Sequence, residues 1–332
     1  MSEPLLDVIG IGNAIVDVIA SGDDGFLARH GMVKGSMMLI DEPKAHALYA
    51  EMGSAVISSG GSAANTVAGV SSLGGATAFI GKVHDDPLGQ AFRHDITAAG
   101  TIFTTPPTSD GPSTARCLIV VTSDSQRTMN TFLGACANLT EDDIDETLVR
   151  RAKVTYLEGY LYDEPAAQRA FHKAARAAHD AGRKVALSLS DAFCVERHRD
   201  QFLSLIREHV DLLFCNEAEL VSLFLTNLDA AIDFVSADVE LAAVTRGADG
   251  SVVVGKDGTL SVPAHPTAQL IDTTGAGDLY AAGFLFAFTR DAPLRQCAEI
   301  GGIAAAEVIS HFGARPQTPL YILIDGVLAG AH

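Results

Sequence analysis

A short segment late in the chain combines small residues with a carboxylate in a pattern that suits phosphoryl chemistry. Residues 271–278 read IDTTGAGD and are followed by an apolar run, Leu279–Thr289, that predicts a helix. Small residues leave consecutive backbone amides exposed at a helix start, where the helix dipole favours an anion. A carboxylate in the first helical turn could accept a proton from a hydroxyl while the amides stabilise charge on a transferring phosphoryl group. A glycine turn with an ordinary capping carboxylate is the alternative interpretation. The candidate catalytic residues are Asp278, Gly275, Ala276 and Gly277.

Such a loop has to be carried by a rigid framework, and the rest of the sequence predicts one. Short β-branched apolar runs alternate with longer amphipathic segments, which is typical of strand–helix units around a mostly parallel sheet. The predicted fold is therefore α/β, with a doubly wound sheet flanked by helices. Candidate strands are Asp7–Gly10, Thr77–Gly81, Val154–Glu158, Lys184–Leu189, Leu212–Cys215 and Leu241–Thr245. Candidate helices include Ser62–Leu73, Leu88–Ala99, Pro165–Ala181 and Glu217–Leu225.

Two stretches interrupt this alternation. In Ala14–Ile40 and around Thr105–Phe132, strand-like residues are mixed with Gly, Pro, Ser and Asp, and no long helix fits. No repeat or low-complexity tract separates these stretches from their surroundings, so they are expected to fold as one unit with the rest. We expect a small β-rich lid, residues 14–38 and 105–132, on a core of residues 1–13, 39–104 and 133–332.

Composition and charge exclude several classes of function. The chain has 332 residues, of which 48% are hydrophobic, enough for one large α/β domain. A formal net charge of -18 disfavours a nucleic-acid partner, although Mg2+ and helix amides can neutralise the phosphates of a nucleotide locally. The five cysteines are far apart without a C-x-x-C pair, and no apolar stretch reaches the length of a membrane span. These features predict a cytoplasmic protein with reduced thiols and no membrane contact.

The 271–278 segment resembles the C-terminal signature of the ribokinase (PfkB) family, in which Asp-Thr-Thr-Gly-Ala-Gly-Asp opens a helix. Three further segments resemble motifs of this family in the expected order: residues 10–17 (GIGNAIVD), 60–65 (GGSAAN) and 74–89 (GGATAFIGKVHDDPLG). The resemblance covers nearly the whole chain. It implies a kinase that uses ATP and Mg2+ to phosphorylate a hydroxyl group of a small-molecule acceptor.

The same resemblance implies which residues hold the acceptor. Asp17 would accept hydrogen bonds from two vicinal ribose hydroxyls, a task that suits a carboxylate. The backbone at Gly61 would approach the sugar, where glycine allows close contact, and Asn65 would complete the hydrogen bonds. Asn13 would contact a polar edge of the acceptor. Without the resemblance, Asp17 is simply a polar residue on a lid strand.

For ATP, the resemblance points mainly to the second half of the chain. Residues 216–219 (NEAE) are similar to the family's Asn-x-x-Glu motif, which handles Mg2+ and phosphate through bound water, so Mg2+ would lie near Glu219. Arg127, within the second lid stretch, would contact phosphate when the lid closes. Asp272, with carbonyls near Gly313, could border a site for a monovalent cation such as K+. The residues implied to contact ATP are Asn216, Glu219, Thr245, Gly247, Gly313 and Arg127.

Three segments favour a nucleoside over a bare sugar as acceptor, because they resemble the adenosine kinases within this family. They are residues 129–137, 156–161 and 187–193, and they would place apolar and aromatic groups beside a planar base. The reaction implied is phosphorylation of the 5′-hydroxyl of adenosine to give AMP, by a monomer or a homodimer. The implied base pocket consists of Leu133, Ala135, Leu161 and Phe193.

Position 161 leaves other acceptors open. An aromatic residue is expected there beside a purine, and the chain has Leu161. Another purine nucleoside, or a sugar such as ribose or fructose, is therefore an alternative acceptor. A non-catalytic nucleotide-binding regulator on the same fold is a third interpretation, since fold alone does not establish activity.

Overall fold

The computed structural model describes residues 5–124, 126–256, 258–267 and 269–329. The ends of the predicted core, residues 1–4 and 330–332, lie outside this range, as do positions 125, 257 and 268. The strands are β1 (Leu6–Ile11), β2 (Ile15–Ser21), β3 (Met37–Leu39), β4 (Ala55–Ser59), β5 (Thr77–Ile80), β6 (Thr101–Ile102), β7 (Ala115–Val121), β8 (Arg127–Phe132), β9 (Ala152–Glu158), β10 (Lys184–Ser188), β11 (Leu212–Asn216), β12 (Leu241–Thr245), β13 (Ser251–Gly255) and β14 (Gly258–Val262). The α-helices are α1 (Asp24–Arg29), α2 (Glu42–Glu51), α3 (Ser62–Ser72), α4 (Pro87–Ala98), α5 (Glu146–Arg151), α6 (Pro165–Asp180), α7 (Ala192–His209), α8 (Glu217–Phe224), α9 (Leu228–Asp238), α10 (Ala276–Phe288), α11 (Leu294–Val308) and α12 (Tyr321–Ala329).

The larger sheet has nine strands in the order β14-β13-β12-β11-β10-β9-β1-β5-β6. Neighbours from β6 to β12 pair in parallel, and β13 and β14 complete one edge as an antiparallel hairpin. This arrangement confirms the predicted doubly wound, mostly parallel α/β fold. Because the carboxyl ends of parallel strands meet at one edge of a sheet, the loops after β1, β9, β10 and β11 come together there. We call this the carboxyl edge.

Hydrophobic cores on both faces of the sheet hold the strands, because successive side chains of a strand point to opposite faces. In β1, Ile9 and Ile11 pack in the cluster that includes α5 to α9, while Val8 packs in the cluster that includes α3, α4, α10 and α11. Burial on both faces explains why the strands read as nearly continuous apolar runs in the sequence. It also leaves the carboxyl edge as the place where polar side chains gather.

A second sheet has five strands in the order β3-β8-β7-β2-β4 and contains strands from both stretches predicted as a lid, so we call it the lid. Helices α1 and α2 cover one face of it, where Leu27 and Leu48 pack with Val18 and Leu118 of the sheet. The lid therefore has a small hydrophobic core of its own.

Both predicted lid stretches contribute strands to this sheet, with β2 inside 14–38 and β7 and β8 inside 105–132. β4 belongs to it as well, paired antiparallel with β2, although its residues fall in the range 39–104 that was assigned to the core. Two consecutive apolar residues of β4, Val56 and Ile57, are exposed. The sequence of β4 therefore lacks the alternation of apolar and polar residues by which a half-buried strand is recognised. The lid sheet is thus larger than the predicted lid ranges.

Within the described residues, no single helix combines the length and the apolar character needed to cross a membrane; α8 and α9 meet these criteria only as a pair, bent by 76°. All five cysteines are buried and free.

Candidate active site

Asp278 lies where the amino-terminal turns of two helices meet. Gly275 adopts a left-handed conformation (φ 81°) and α10 starts at Ala276, so Asp278 falls in the first turn of the helix. From the first turn of α3, Ser62 Oγ donates a hydrogen bond to Asp278 Oδ1 (2.6 Å) and Asn65 Nδ2 donates one to Oδ2 (3.0 Å). These two contacts hold the carboxylate in one orientation.

The surroundings of Asp278 make it a stronger base than an exposed aspartate. Burial raises its pKa, and the hydrogen bonds from Ser62 and Asn65 lower it in part. A raised pKa increases the affinity of the carboxylate for a proton, which is what a general base requires. The site can therefore accept a proton from a hydroxyl placed beside Asp278.

The residues before Asp278 form a loop at the positive end of the α10 dipole. A Cβ at Gly277 would meet no atom within 4 Å, so the backbone there is open to a ligand. A Cβ at Gly275 would lie 2.8 Å from Cα of Ala314, so this glycine allows the C-terminal loop to pack against the helix start. The Ala276 amide donates to the Thr273 carbonyl at 3.2 Å and is not free for a phosphoryl oxygen in this conformation.

Asp272, earlier in the same loop, connects the core to the lid. Its Oδ1 accepts hydrogen bonds from the amide (3.0 Å) and the hydroxyl (2.7 Å) of Thr274, and its Oδ2 accepts one from the Gly313 amide (3.2 Å). Arg127 of lid strand β8 forms a buried ion pair with Oδ2. All of these groups donate to the Asp272 carboxylate and occupy its oxygens in this conformation; the monovalent-cation site near Asp272 stays a prediction. Arg127, the predicted phosphate contact, is paired with Asp272 and so lies beside residues 272–278, the segment that we call the catalytic loop.

Asp17 of β2, the predicted ribose ligand, shares the electrostatic environment of the catalytic loop. Burial raises the pKa of Asp17 to about 6; the charges of Arg127 and Arg315 lower it and that of Asp278 raises it. A Cβ at Gly60 would lie 2.6 Å from Asp17 Oδ2, so glycine keeps the space beside this carboxylate open. Asp17 is thus poised to change protonation close to neutral pH.

Asn13 is held by Glu158, a residue that sequence reasoning did not single out. Glu158 Oε1 accepts a hydrogen bond from Asn13 Nδ2 (2.7 Å), and Oε2 accepts from the amides of Asn13 (3.3 Å) and Ala63 (2.8 Å). Burial raises the pKa of Glu158 to about 7, although these hydrogen bonds lower it. These contacts leave the side-chain oxygen and one amide hydrogen of Asn13 for a ligand. Gly61, at φ 93°, fits beside this asparagine because a Cβ would overlap the Asn13 backbone oxygen.

Asn216 and Glu219 form a capping box at the start of α8. Glu219 accepts hydrogen bonds from the Asn216 side chain (2.6 Å) and amide (2.9 Å), and its own amide donates to Asn216 Oδ1 (2.9 Å). Burial raises the pKa of Glu219 to about 7, and the charges of Asp191 and Asp278 add to the rise. A buried carboxylate among other carboxylates is a favourable environment for a hard divalent cation. Because both carboxylate oxygens of Glu219 already accept from Asn216, the predicted role of Glu219 toward Mg2+ would be through bound water.

The other predicted ATP contacts offer mainly backbone to a ligand. Gly247 (φ 55°) and Gly313 (φ 101°) both have open space where a Cβ would be. The Thr245 hydroxyl donates to the Cys215 carbonyl at 3.4 Å, so it is tied to the neighbouring strand. The two glycines leave room for a nucleotide near the carboxyl edge.

The residues of the predicted base pocket have different surroundings. Ala135 is fully buried, and Leu133 packs against a small apolar cluster of the lid. Leu161 is 3% exposed and packs inside the core with α6 and α7, whereas Phe193 is 61% exposed with Arg197 4.5 Å from its ring centroid. Phe193 is the most exposed of these side chains and Leu133 is half-buried, whereas Ala135 and Leu161 are buried; the pocket stays a prediction.

Arg315, in the loop after α11, is a second site residue that was not predicted. Its Nε donates to Asn65 Oδ1 (3.4 Å), and its Nη2 is buried with no hydrogen-bond partner among the described residues. Burial lowers the pKa of Arg315 to about 10, while Asp95 and Asp17 raise it. An arginine in a loop is usually solvated, so the sequence alone carries no signal for this role.

Comparison with known proteins agrees with this geometry. The pattern of the pfkB family carbohydrate kinases matches residues 35–320. The crystal structure of adenosine kinase from Sinorhizobium meliloti is 49% identical to this chain, with a TM-score of 0.91 over 97% of this chain and 99% of that one. A probable sugar kinase from Rhizobium etli CFN 42 is 44% identical, with a TM-score of 0.91 over 98% and 99% of the two chains. Adenosine kinase 2 from Arabidopsis thaliana is 26% identical over 346 residues, which cover 94% of this chain and 96% of that protein.

Site and similarity lead to the same class of enzyme. Kinases of this family use ATP, typically with Mg2+. The buried carboxylate of Asp278 at a helix start is compatible with that chemistry. The chain belongs to the pfkB family of carbohydrate kinases and is a phosphotransferase that acts on a sugar or a nucleoside.

Proposed function

We propose that this kinase transfers the γ-phosphoryl group of ATP to the 5′-hydroxyl of a nucleoside, with adenosine as the acceptor and AMP and ADP as products. The observation that carries the proposal is the placement of Asp278, a carboxylate held by Ser62 and Asn65 where two helix starts meet. The 49% identity to the Sinorhizobium meliloti adenosine kinase supports the choice of acceptor.

Asp278 acts as the general base. It takes the proton of the 5′-hydroxyl while the hydroxyl oxygen forms a bond to the γ-phosphorus and the bond from that phosphorus to the bridging oxygen of ADP breaks. The hydrogen bonds from Ser62 and Asn65 occupy one lone pair on each carboxylate oxygen and leave the others for the hydroxyl. The raised pKa of Asp278 favours this proton transfer.

Charge on the phosphoryl group is stabilised from two sides. The dipole of α10 and the open backbone at Gly277 face the developing negative charge. Mg2+ bound with ATP, near Glu219 and Asp191, would supply further positive charge to the phosphate oxygens. Glu219 and Asp191 would hold this ion through bound water.

The acceptor lies between the core and the lid. Asp17, ionised, accepts hydrogen bonds from the ribose hydroxyls, and the side-chain oxygen of Asn13 accepts another from the substrate. The Arg127–Asp272 ion pair holds the lid against the catalytic loop, which excludes water that would otherwise hydrolyse ATP. We also propose a cytoplasmic location, which the free, buried cysteines support.

A sugar acceptor is the second candidate function. The burial of Leu161 inside the core favours it, because that side chain does not contribute to a wall for a purine base. The 44% identity to the probable sugar kinase from Rhizobium etli CFN 42 supports it as well. The mechanism at Asp278 is the same for either acceptor.

The test is ADP release from Mg-ATP by the purified protein, with adenosine, inosine, ribose and fructose as parallel acceptors. Adenosine is expected to give the highest kcat/KM, with AMP as the product. Asp278→Asn is expected to lower kcat by at least about 100-fold, typical of the loss of a general base, with little change in the KM for ATP.

Asp145→Asn is the matched control, because Asp145 accepts a hydrogen bond at the start of α5 and has no role in the proposed mechanism. It should leave kcat unchanged. A higher kcat/KM for ribose or fructose would replace the nucleoside by a sugar. Near-normal turnover of Asp278→Asn would remove Asp278 from the role of base.

A further inference from the structure

One group of side chains far from the active site has the composition of a transition-metal site. His172 lies midway along α6, and Glu208 and His209 are the last two residues of α7. One ligand atom of each residue lies within 4.8 Å of those of the other two. We propose that His172, Glu208 and His209 bind a divalent transition-metal ion such as Zn2+.

The geometry is close to that of a bound ion. The ring centroids of His172 and His209 are 5.1 Å apart at an angle of 71° between the planes, and His209 Nε2 is 3.9 Å from Glu208 Oε2. Ligand atoms around a tetrahedral zinc ion are separated by roughly 3.4 Å, since each bond is about 2.1 Å long. The three ligand atoms, all within 4.8 Å of one another, therefore need to come closer by no more than about 1.4 Å to surround an ion.

The ligand types select the ion. Two imidazole nitrogens and one carboxylate oxygen suit Zn2+, Co2+ or Ni2+, whereas Mg2+ prefers oxygen ligands throughout. Metal binding needs neutral imidazole, the form of histidine that offers a nitrogen lone pair to the ion. Glu208 Oε1 accepts a hydrogen bond from Ser204 Oγ (2.8 Å), which leaves Oε2 for the metal.

Nearby charges set the expected strength of binding. Arg176 is close enough to lower the pKa of His209, and its positive charge also opposes a cation. The ring centroid of His179 lies 6.3 Å from that of His209, and His179 is paired with Asp211 (3.0 Å). We therefore do not include His179 among the metal ligands. With three protein ligands and one repelling charge, we expect micromolar rather than nanomolar affinity.

The proposed metal site is separate from the reaction site. Asp191 caps the start of α7, whereas Glu208 and His209 lie at the other end of this 18-residue helix, beyond a kink at His198. A metal there ties the last turn of α7 to α6 and takes no part in catalysis. Its existence is thus independent of the proposed function.

Calorimetric titration of the full chain with ZnCl2 tests the proposal, using chelator-treated protein without an affinity tag. Excess Mg2+ in the buffer occupies the carboxylates near Glu219, and the buried cysteines limit binding to thiols. One equivalent of Zn2+ is expected to bind. His172→Gln and His209→Gln should each weaken binding by about tenfold or more, the usual cost of disturbing a metal's surroundings.

His46→Gln is the matched control, because His46 is an exposed helical histidine with a carboxylate, Glu42, 3.7 Å away but no second imidazole in the group. It should leave Zn2+ affinity unchanged. Thermal unfolding without metal shows whether each variant folds. If a histidine variant does not fold, Glu208→Gln replaces it in the test, because the Glu208 side chain is exposed and its substitution should not disturb folding. Absence of saturable Zn2+ binding to the wild-type protein, or equal affinity in wild-type and His172→Gln proteins, would overturn the proposal.

Discussion

At the scale of single residues, the orientation of Asp278, the proposed base, depends on a side chain that does not touch it. Arg315 Nε donates to Asn65 Oδ1, and Asn65 Nδ2 donates to Asp278 Oδ2. When a guanidinium holds the amide oxygen, the amide cannot turn that oxygen toward the carboxylate, so Arg315 determines which way Asn65 points. Without this contact the amide can rotate and place two acceptors against each other.

Arg315→Met is therefore expected to lower kcat roughly tenfold, because a small misplacement of the base is costly, while the KM for ATP stays unchanged. Steady-state kinetics at saturating ATP measure both constants. Arg315→Lys keeps a positive charge near Asp17 but lacks the planar donor fork, so it should have the same low kcat as Arg315→Met. A wild-type kcat for Arg315→Met would contradict the positioning role.

Protonation of Asp17 should control acceptor binding. Burial raises its pKa to about 6, and the protonated form loses the charge that attracts two ribose hydroxyls. The acceptor KM is therefore expected to rise as the pH falls through 6 and to be constant above pH 7.5. Asp17→Asn, which does not titrate, should have a high KM that no longer depends on pH in this range. A flat profile for the wild-type enzyme would remove Asp17 from the binding of the acceptor.

The residues that the sequence could and could not identify differ in how local their roles are. Asp278 belongs to a continuous segment whose loop, helix start and carboxylate lie together in the sequence. Glu158 and Arg315 act on partners 145 and 250 positions away, Asn13 and Asn65 respectively. Their roles arise only after β1 pairs with β9 and the C-terminal loop packs on Gly275, which no local pattern encodes.

At the scale of elements, the site depends on how closely α3 and α10 approach each other. A Cβ at Gly69 of α3 would lie 2.7 Å from the Cβ of Ala282 in α10, so a small residue at each position allows the contact. This approach aims the amino-terminal turns of both helices at Asp278. Hydrophobic periodicity predicted both helices correctly. Their position relative to each other, however, is set by the pairing of strands β1 and β5 and by the packing of the helices on the sheet, which periodicity does not encode.

Lid strand β8 is attached to the catalytic loop by the Arg127–Asp272 ion pair, and this attachment bears on monovalent cations. The Asp272 carboxylate also accepts from Thr274 and the Gly313 amide, so its oxygens face donors that repel a cation. We expect equal initial rates in KCl, NaCl and choline chloride at constant ionic strength. Activation of the wild-type enzyme by K+ would show that the donors rearrange to admit an ion.

Arg127→Gln should weaken lid closure and raise the acceptor KM.

At the scale of the whole molecule, negative charge is both abundant and concentrated in the cleft. The formal net charge is -18, and burial raises the pKa values of Asp17 to about 6 and of Glu158 and Glu219 to about 7. Each of these groups binds its proton more tightly in the folded than in the unfolded chain. Folding therefore becomes less favourable as the pH rises and the three carboxyls ionise.

The Tm of the ligand-free protein is expected to fall by a few degrees between pH 5.5 and pH 7.5, as differential scanning calorimetry would measure. The sign follows from proton binding: between the unfolded values of 3.8 to 4.5 and the folded values of about 6 to 7, the folded state holds more protons. Mg-ATP should raise the Tm more at pH 7.5, because a bound cation neutralises these carboxylates once they are ionised.

Other titrating groups do not reverse this trend. Asp7, Asp124 and Glu42 have lowered pKa values, so the stability that they contribute is present above their unfolded values and lost only as the pH falls through the lower folded ones, below this window. The lowered pKa of His209 adds stability as the pH rises near 6.5, in opposition to the carboxyls.

Glu158→Gln separates the contributions, because it removes one carboxyl whose pKa is raised and leaves His209 in place. Its Tm should fall less steeply with pH than that of the wild type, whatever its absolute stability, and parallel curves for the two proteins would show that Glu158 does not titrate in the folded state with a raised pKa.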